Sequence, residues 1–175
     1  MQYQNIHLIY FSPTHTSAKI AYAIAEALEA DTLSESDITH EGLKEPLSMG
    51  GNELVIVAVP VYGGRVAETA MERIRMFKGN ATPVIPVVVY GNRDYEDALK
   101  ELSDALSAQE FVPVSAGAFI GEHSYSRKDM PIAAGRPDKD DLLKASEFGS
   151  EILKKLDNVS TLTDLQPLEV KGNFP

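Results

Sequence analysis

Two kinds of hydrophobic spacing alternate along the chain. Residues 6–11 (IHLIYF) and 54–59 (LVIVAV) are nearly unbroken apolar runs rich in β-branched side chains. Such runs suit parallel strands covered by helices on both faces, because neither face meets water. Residues 84–90 form a third run, interrupted by Pro86, and residues 111–120 a fourth, with Pro113 near its start. A proline withdraws a ladder donor, which weakens the strand reading except at a strand's first residues. Between these runs the spacing becomes helical. Ile20, Ala23, Ile24 and Leu28 share one face, as do Ala70, Ile74 and Phe77, and then Leu99, Leu102 and Leu106. Pro137-Asp138-Lys139-Asp140-Asp141 opens a fourth helix with a proline and an acidic first turn, and Leu142, Leu143, Ile152, Leu153 and Leu156 are its apolar positions. The mostly polar stretch 30–38 adds a strand suited to a sheet edge.

Strands alternating with helices imply right-handed crossovers and an α/β fold, a doubly wound five-stranded parallel sheet with helices on both faces. The 175 residues fit one domain. Residues 1–157 are expected to form it, and residues 158–175, polar and aperiodic, a C-terminal extension that either leaves it or packs on the sheet edge.

Composition narrows the chemistry. The chain has no cysteine, which excludes a disulfide framework, a thiolate nucleophile and an iron–sulfur cluster ligated by the chain itself. A net charge of −10 disfavours nucleic acid and anionic membrane as partners and favours a basic one, although acidity also serves solubility alone. No stretch approaches the ~20 apolar residues of a membrane span, and no basic residue precedes the first apolar run, so a cytoplasmic location is expected. The histidines show no metal-binding spacing.

Ligands of doubly wound sheets bind beyond the carboxyl ends of the strands, where the winding reverses. Residues 12–17, 60–66, 91–97 and 121–126 follow the four main strands and hold most of the clustered Gly, Ser, Thr and Tyr. Ser12-Pro13-Thr14-His15-Thr16-Ser17 lies where free N–H groups and the positive end of a helix dipole converge. Its hydroxyls add hydrogen bonds without charge, so a phosphate monoester can bind there with little help from Lys or Arg. The plainer role of Thr14 or Thr16 is to cap the helix. The loop lacks the ending of a triphosphate P-loop and the spaced glycines of a dinucleotide fingerprint, which leaves a monophosphate as its natural ligand.

This Ser-x-Thr-x-Thr-Ser segment resembles the phosphate loop of the flavodoxin family, usually Thr/Ser-x-Thr-Gly-x-Thr, with His15 where that loop has glycine. Pro60-Val61-Tyr62-Gly63-Gly64-Arg65-Val66 and Val89-Tyr90-Gly91-Asn92-Arg93-Asp94-Tyr95 resemble the two flavodoxin loops that grip the isoalloxazine ring. The resemblance spans residues 5–155 and is strongest to the flavodoxin-like domain of bacterial flavodoxin–ferredoxin fusion proteins, without the ferredoxin half. It implies a strand order of 2-1-3-4-5 and non-covalently bound FMN. The phosphate would lie at Ser12, Thr14, His15, Thr16 and Ser17, and the ring against Pro60, Val61, Tyr62, Gly63, Gly64, Tyr90 and Gly91. Gly63 or Gly64 would turn a carbonyl towards N5 of the reduced flavin, unless the pair is a plain turn. Tyr62 and Tyr95 either stack on the ring or are surface aromatics. Asn92 would read the pyrimidine edge, with Asp97 either beside it or acting as a helix-opening carboxylate. Arg65 and Arg93 either place a cation near N1 or face solvent. His123, Ser124 and Tyr125, in the long loop 121–136, cover the flavin, contact a partner or are structural.

Three functions follow. The first is an FMN-binding electron carrier served by a redox partner protein such as a ferredoxin or a reductase. The second is an FMN-dependent NAD(P)H:quinone-type oxidoreductase, and the third a binding module that has lost the flavin.

Overall fold

A computed structural model describes residues 1–173. The elements run β1 (Asn5–Tyr10), α1 (Thr16–Glu26), β2 (Thr32–Asp37), β3 (Leu47–Ser48), β4 (Glu53–Tyr62), β5 (Arg65–Val66) and α2 (Glu68–Ile74). They continue with β6 (Phe77–Lys78), β7 (Thr82–Tyr90), α3 (Ala98–Ala108), β8 (Phe111–Pro113), β9 (Gly117–Ile120) and α4 (Lys139–Asp157). The central sheet is ordered β2-β1-β4-β7, with β8 and β9 both on the outer side of β7, and these pairs are all parallel. With β8 and β9 counted as one interrupted strand, the order is the expected 2-1-3-4-5.

The pleat of β4 sorts its side chains into two cores. Val55, Val57 and Val59 pack with Ile74, Leu99 and Leu102 of α2 and α3. Leu54, Ile56 and Ala58 pack with Ile20, Ile24 and Ile152 of α1 and α4. Alternate residues of a strand face opposite sides, so an unbroken apolar run is what a strand between two helical layers requires. The edge strand β2 is mostly exposed, and the His7 ring on β1 is held between the hydroxyls of Ser34 and Ser36 at 2.7 and 2.8 Å.

The prolines explain the broken fifth strand. Val114 N–H donates to the Val84 carbonyl and Gly121 N–H to the Tyr90 carbonyl, so the even residues of β7 turn their backbone groups towards β8 and β9. Pro86 therefore points its missing donor at that side. There it lies between Val84, the last partner of β8, and Val87, the first partner of β9. Two other details differ from the spacing. Phe77 is fully buried but belongs to β6, beyond the end of α2, and Leu143 on α4 is exposed. Among the described residues no helix is long and apolar enough to cross a membrane.

Candidate functional site

The connection from β1 to α1 is tight because of one residue. His15, the cap residue of α1, has φ 62° and ψ 6°, in the left-handed region. A side chain there costs about 1–2 kcal/mol, and histidine is among the residues found there more often than most. His15 thus takes a backbone conformation that glycine adopts at no steric cost, with its N–H donating to the Ser12 carbonyl at 3.0 Å. The buried Ser12 hydroxyl accepts the Ala18 N–H at 3.0 Å and is committed to the helix end. The N–H groups of Thr14, Thr16 and Ser17 have no protein acceptor among the described residues. The Ser17 hydroxyl is fully enclosed and has no partner among them either. Thr14 and Thr16, their hydroxyls 3.3 Å apart, open onto a cavity of about 880 Å³, within the size range of small-molecule sites.

The second wall is the β4–β5 hairpin. Tyr62 pairs with Arg65 across Gly63 and Gly64, whose φ angles of 59° and 77° are those of a two-residue turn with both central residues left-handed. Pro60, Val61, Tyr62, Gly63 and Gly64 all line the cavity, and the Tyr62 ring is half exposed to it. The Gly64 carbonyl accepts the Asp97 N–H at 3.2 Å, and the Glu96 carboxylate lies where a Gly64 side chain would begin. Arg65 turns away from the cavity. Its guanidinium clamps Glu101 at 2.8 and 3.0 Å, and the Val66 N–H donates to the same carboxylate at 2.9 Å. The Arg65 hydrogen bond holds the Glu101 carboxyl below the usual range and fastens the hairpin to α3.

The third wall follows β7. Tyr90 and Gly91 line the cavity. Tyr95 meets Tyr90 edge-on at 5.5 Å and packs on the core, outside the lining. Asn92, at φ 64°, and Asp97 also lie outside the lining, with the Asp97 carboxylate accepting the Asn173 N–H at 2.8 Å. Ser12, His15 and Ser17 likewise lie outside the lining. Arg93 lines the cavity in place of Arg65, with a contact of 3.4 Å to Glu96.

The fourth wall is the loop between β9 and α4. It has its own order: Glu122 N–H donates to the Arg136 carbonyl, His123 N–H to the Ile132 carbonyl, and Arg127 and Met130 exchange two backbone bonds. Its His123 ring packs directly over Gly91, where a side chain would collide with it. His123 Nδ1 accepts the Tyr125 N–H at 3.0 Å, and the two rings lie 5.2 Å apart. Tyr125 is 73% exposed on the cavity side of the loop. Arg136 also lines the cavity, but its guanidinium is paired with the buried Asp141.

Sequence reasoning missed Lys19, Glu96 and Arg136, each of which lines the cavity. Lys19 was legible in hindsight: it stands three residues beyond Thr16, one turn along the helix. It is exposed and meets no acid among the described residues.

The strand order and the cavity at the carboxyl ends of β1, β4 and β7 define a flavodoxin-like α/β fold. No protein-family model matches the sequence, and no curated protein matches it. Solved structures do. A flavodoxin from Streptococcus pneumonia TIGR4 superposes with a TM-score of 0.55 at 16% identity, over 86% of this chain and 99% of its own. Oxidised flavodoxin 1 from Bacillus cereus gives 0.58 at 13% identity, over 89% and 99%. An NADH:FMN oxidoreductase in its apo form gives 0.56 at 12% identity, over 87% and 89%.

Proposed function

We propose that this cavity binds FMN and that the protein carries electrons for a separate redox partner. The observation that carries the proposal is the corner beside α1. There, N–H groups of Thr14, Thr16 and Ser17 with no protein acceptor among the described residues and two open threonine hydroxyls lie beside the cavity whose other walls are the Gly63-Gly64 hairpin, the segment after β7 and the 121–136 loop. A dianion at that helix end meets the positive end of the dipole, with Lys19 as a nearby cation. A flat ring fits against the Gly63 backbone, over which nothing packs within 4 Å, with the half-exposed Tyr62 beside it, while Glu96 and His123 lie over Gly64 and Gly91. Bound FMN would supply reversible electron acceptance; the chain binds it, orients it and limits water around it. The flavodoxin and oxidoreductase neighbours in the same fold support this reading.

Assignment of the 1–157 region as the FMN-binding unit, a cytoplasmic setting and a ferredoxin or reductase partner belong to the same proposal. So does the likeness to the flavodoxin-like domain of flavodoxin–ferredoxin fusion proteins. A second reading, an NAD(P)H-dependent oxidoreductase, is favoured by the extent of the cavity beneath the 121–137 loop, where Tyr125 is exposed.

Replacing Thr14 and Thr16 together by alanine tests the phosphate corner. The double variant should lose roughly tenfold or more in FMN affinity, at about 1 kcal/mol per hydrogen bond, and leave riboflavin affinity unchanged. Equal losses for the two ligands would remove the loop from phosphate binding. Rapid NADH oxidation with a quinone by the flavin-loaded protein would favour the second reading over the carrier.

A further inference from the structure

Beyond α4 the chain turns back along the domain. Leu162 and Leu165 pack on the α1–α4 core. Pro167, Leu168 and Val170 then share a small cavity of about 280 Å³ with Val112 and Pro113 of β8 and with Ser103 and Ser107 of α3. Val170 packs on the α2–α3 core, and Gly172 passes so close to α3 that a side chain on it would lie 2.9 Å from the Lys100 Cβ. The segment ends its described course with the Asn173 N–H donating to the Asp97 carboxylate at 2.8 Å.

Asp97 is the link between this segment and the cavity. Its side chain takes the bond from Asn173, while its own N–H donates to the Gly64 carbonyl at 3.2 Å. Two hydrogen bonds in series therefore join the C-terminal segment to the left-handed Gly63-Gly64 turn. At the residue between them, Asp97, the side chain makes no capping bond to α3, which leaves the carboxylate free for this use.

We infer that Asn173 and Asp97 are positioning residues that hold the Gly64 peptide in place, so that the C-terminal segment sets the flavin environment of the site. The inference rests on the flavin reading for its consequence, and on the hydrogen bonds alone for its structural part. Without the Asn173 donor, the Asp97 carboxylate is released and the start of α3 loosens. The Gly64 carbonyl then has a less fixed partner.

The test compares Asn173→Pro, which removes the N–H, with Asn173→Ala, which keeps it. In the protein without flavin, amide exchange at Asp97 measured by NMR should quicken on the order of fivefold in the proline variant, the equivalent of one ordinary hydrogen bond. The alanine variant and the β4 and β7 amides should be unchanged. Asp97→Ala, which removes the acceptor, should speed exchange at the same amide. In FMN-loaded protein the proline variant should shift the midpoint potential and the alanine variant should not. Equal exchange at Asp97 in the two Asn173 variants would overturn the strap. Faster exchange with an unchanged potential would overturn its influence on the flavin. Failure of the unaltered chain to bind FMN would defeat the flavin reading, while the exchange comparison would still decide the strap.

Discussion

Gly64 combines a backbone angle of φ 77° with a carboxylate packed where its side chain would start. A β-branched residue tolerates neither condition well, because its χ1 is stiff and its backbone avoids the left-handed region. Gly64→Val should therefore retain some FMN but shift its midpoint potentials, as potentiometry of both proteins would show; unchanged potentials would take Gly64 out of the mechanism. Lys19 acts at longer range. Lys19→Gln should weaken FMN binding a few-fold at low salt and less at high salt, since exposed charges are screened over about 10 Å at 0.1 M. At this scale the sequence revealed the hydroxyls and the glycines, whose chemistry is local. It did not reveal that His15 takes a left-handed backbone, nor that Arg65 faces Glu101 and leaves Arg93 at the cavity. Those outcomes depend on a partner 36 residues away or on a dihedral angle that no side-chain pattern records.

The two helices of one face meet at a glycine. A side chain on Gly149 of α4 would lie 2.5 Å from the Ile24 carbonyl and 2.9 Å from the Ala27 Cβ of the α1 region. Glycine to alanine within a helix normally gains about 0.5–1 kcal/mol. Here the obstacle is backbone, which yields only if α1 and α4 move apart, and overpacking of that kind costs about 1–3 kcal/mol. Gly149→Ala should lower stability in denaturant titration; a stabilised variant would mean that the helices are less closely packed than described. Elements were the most legible scale, because the strand runs and the helical spacing report burial directly. The exceptions have physical causes. Pro86 faces the gap between β8 and β9, a matter of which way the even residues point. The segment after α4 has too few apolar residues to show a period, yet Leu162, Leu165 and Val170 all find cores to pack on.

For the whole molecule, several groups make stability fall on acidification. His7 is held below its ordinary value of 6.5, first by burial, so the unfolded chain takes up its proton earlier and stability declines as pH drops below that value. Glu101 and Asp141 are both held low, first by hydrogen bonds from Arg65 and Arg136. Their contribution is present above the ordinary carboxylate values of 4.5 and 3.8 and disappears as pH falls through the depressed folded ones. Denaturant midpoints followed from pH 8 to 3 should decline in two stages, with His7→Gln flattening the earlier stage and Glu101→Gln the later. A curve unaffected by either substitution would contradict these pairings.

The same molecule places the N–H groups and hydroxyls of the β1–α1 turn beside a cavity of about 880 Å³, and the proposed function stands on their joint use. Calorimetric titration of the unaltered protein with FMN and with riboflavin measures that directly. The account predicts micromolar or tighter FMN binding, ~8 kcal/mol or more, and riboflavin weaker by at least tenfold, because riboflavin leaves the donors of Thr14, Thr16 and Ser17 unused. Equal affinities, or no binding of either, would contradict it.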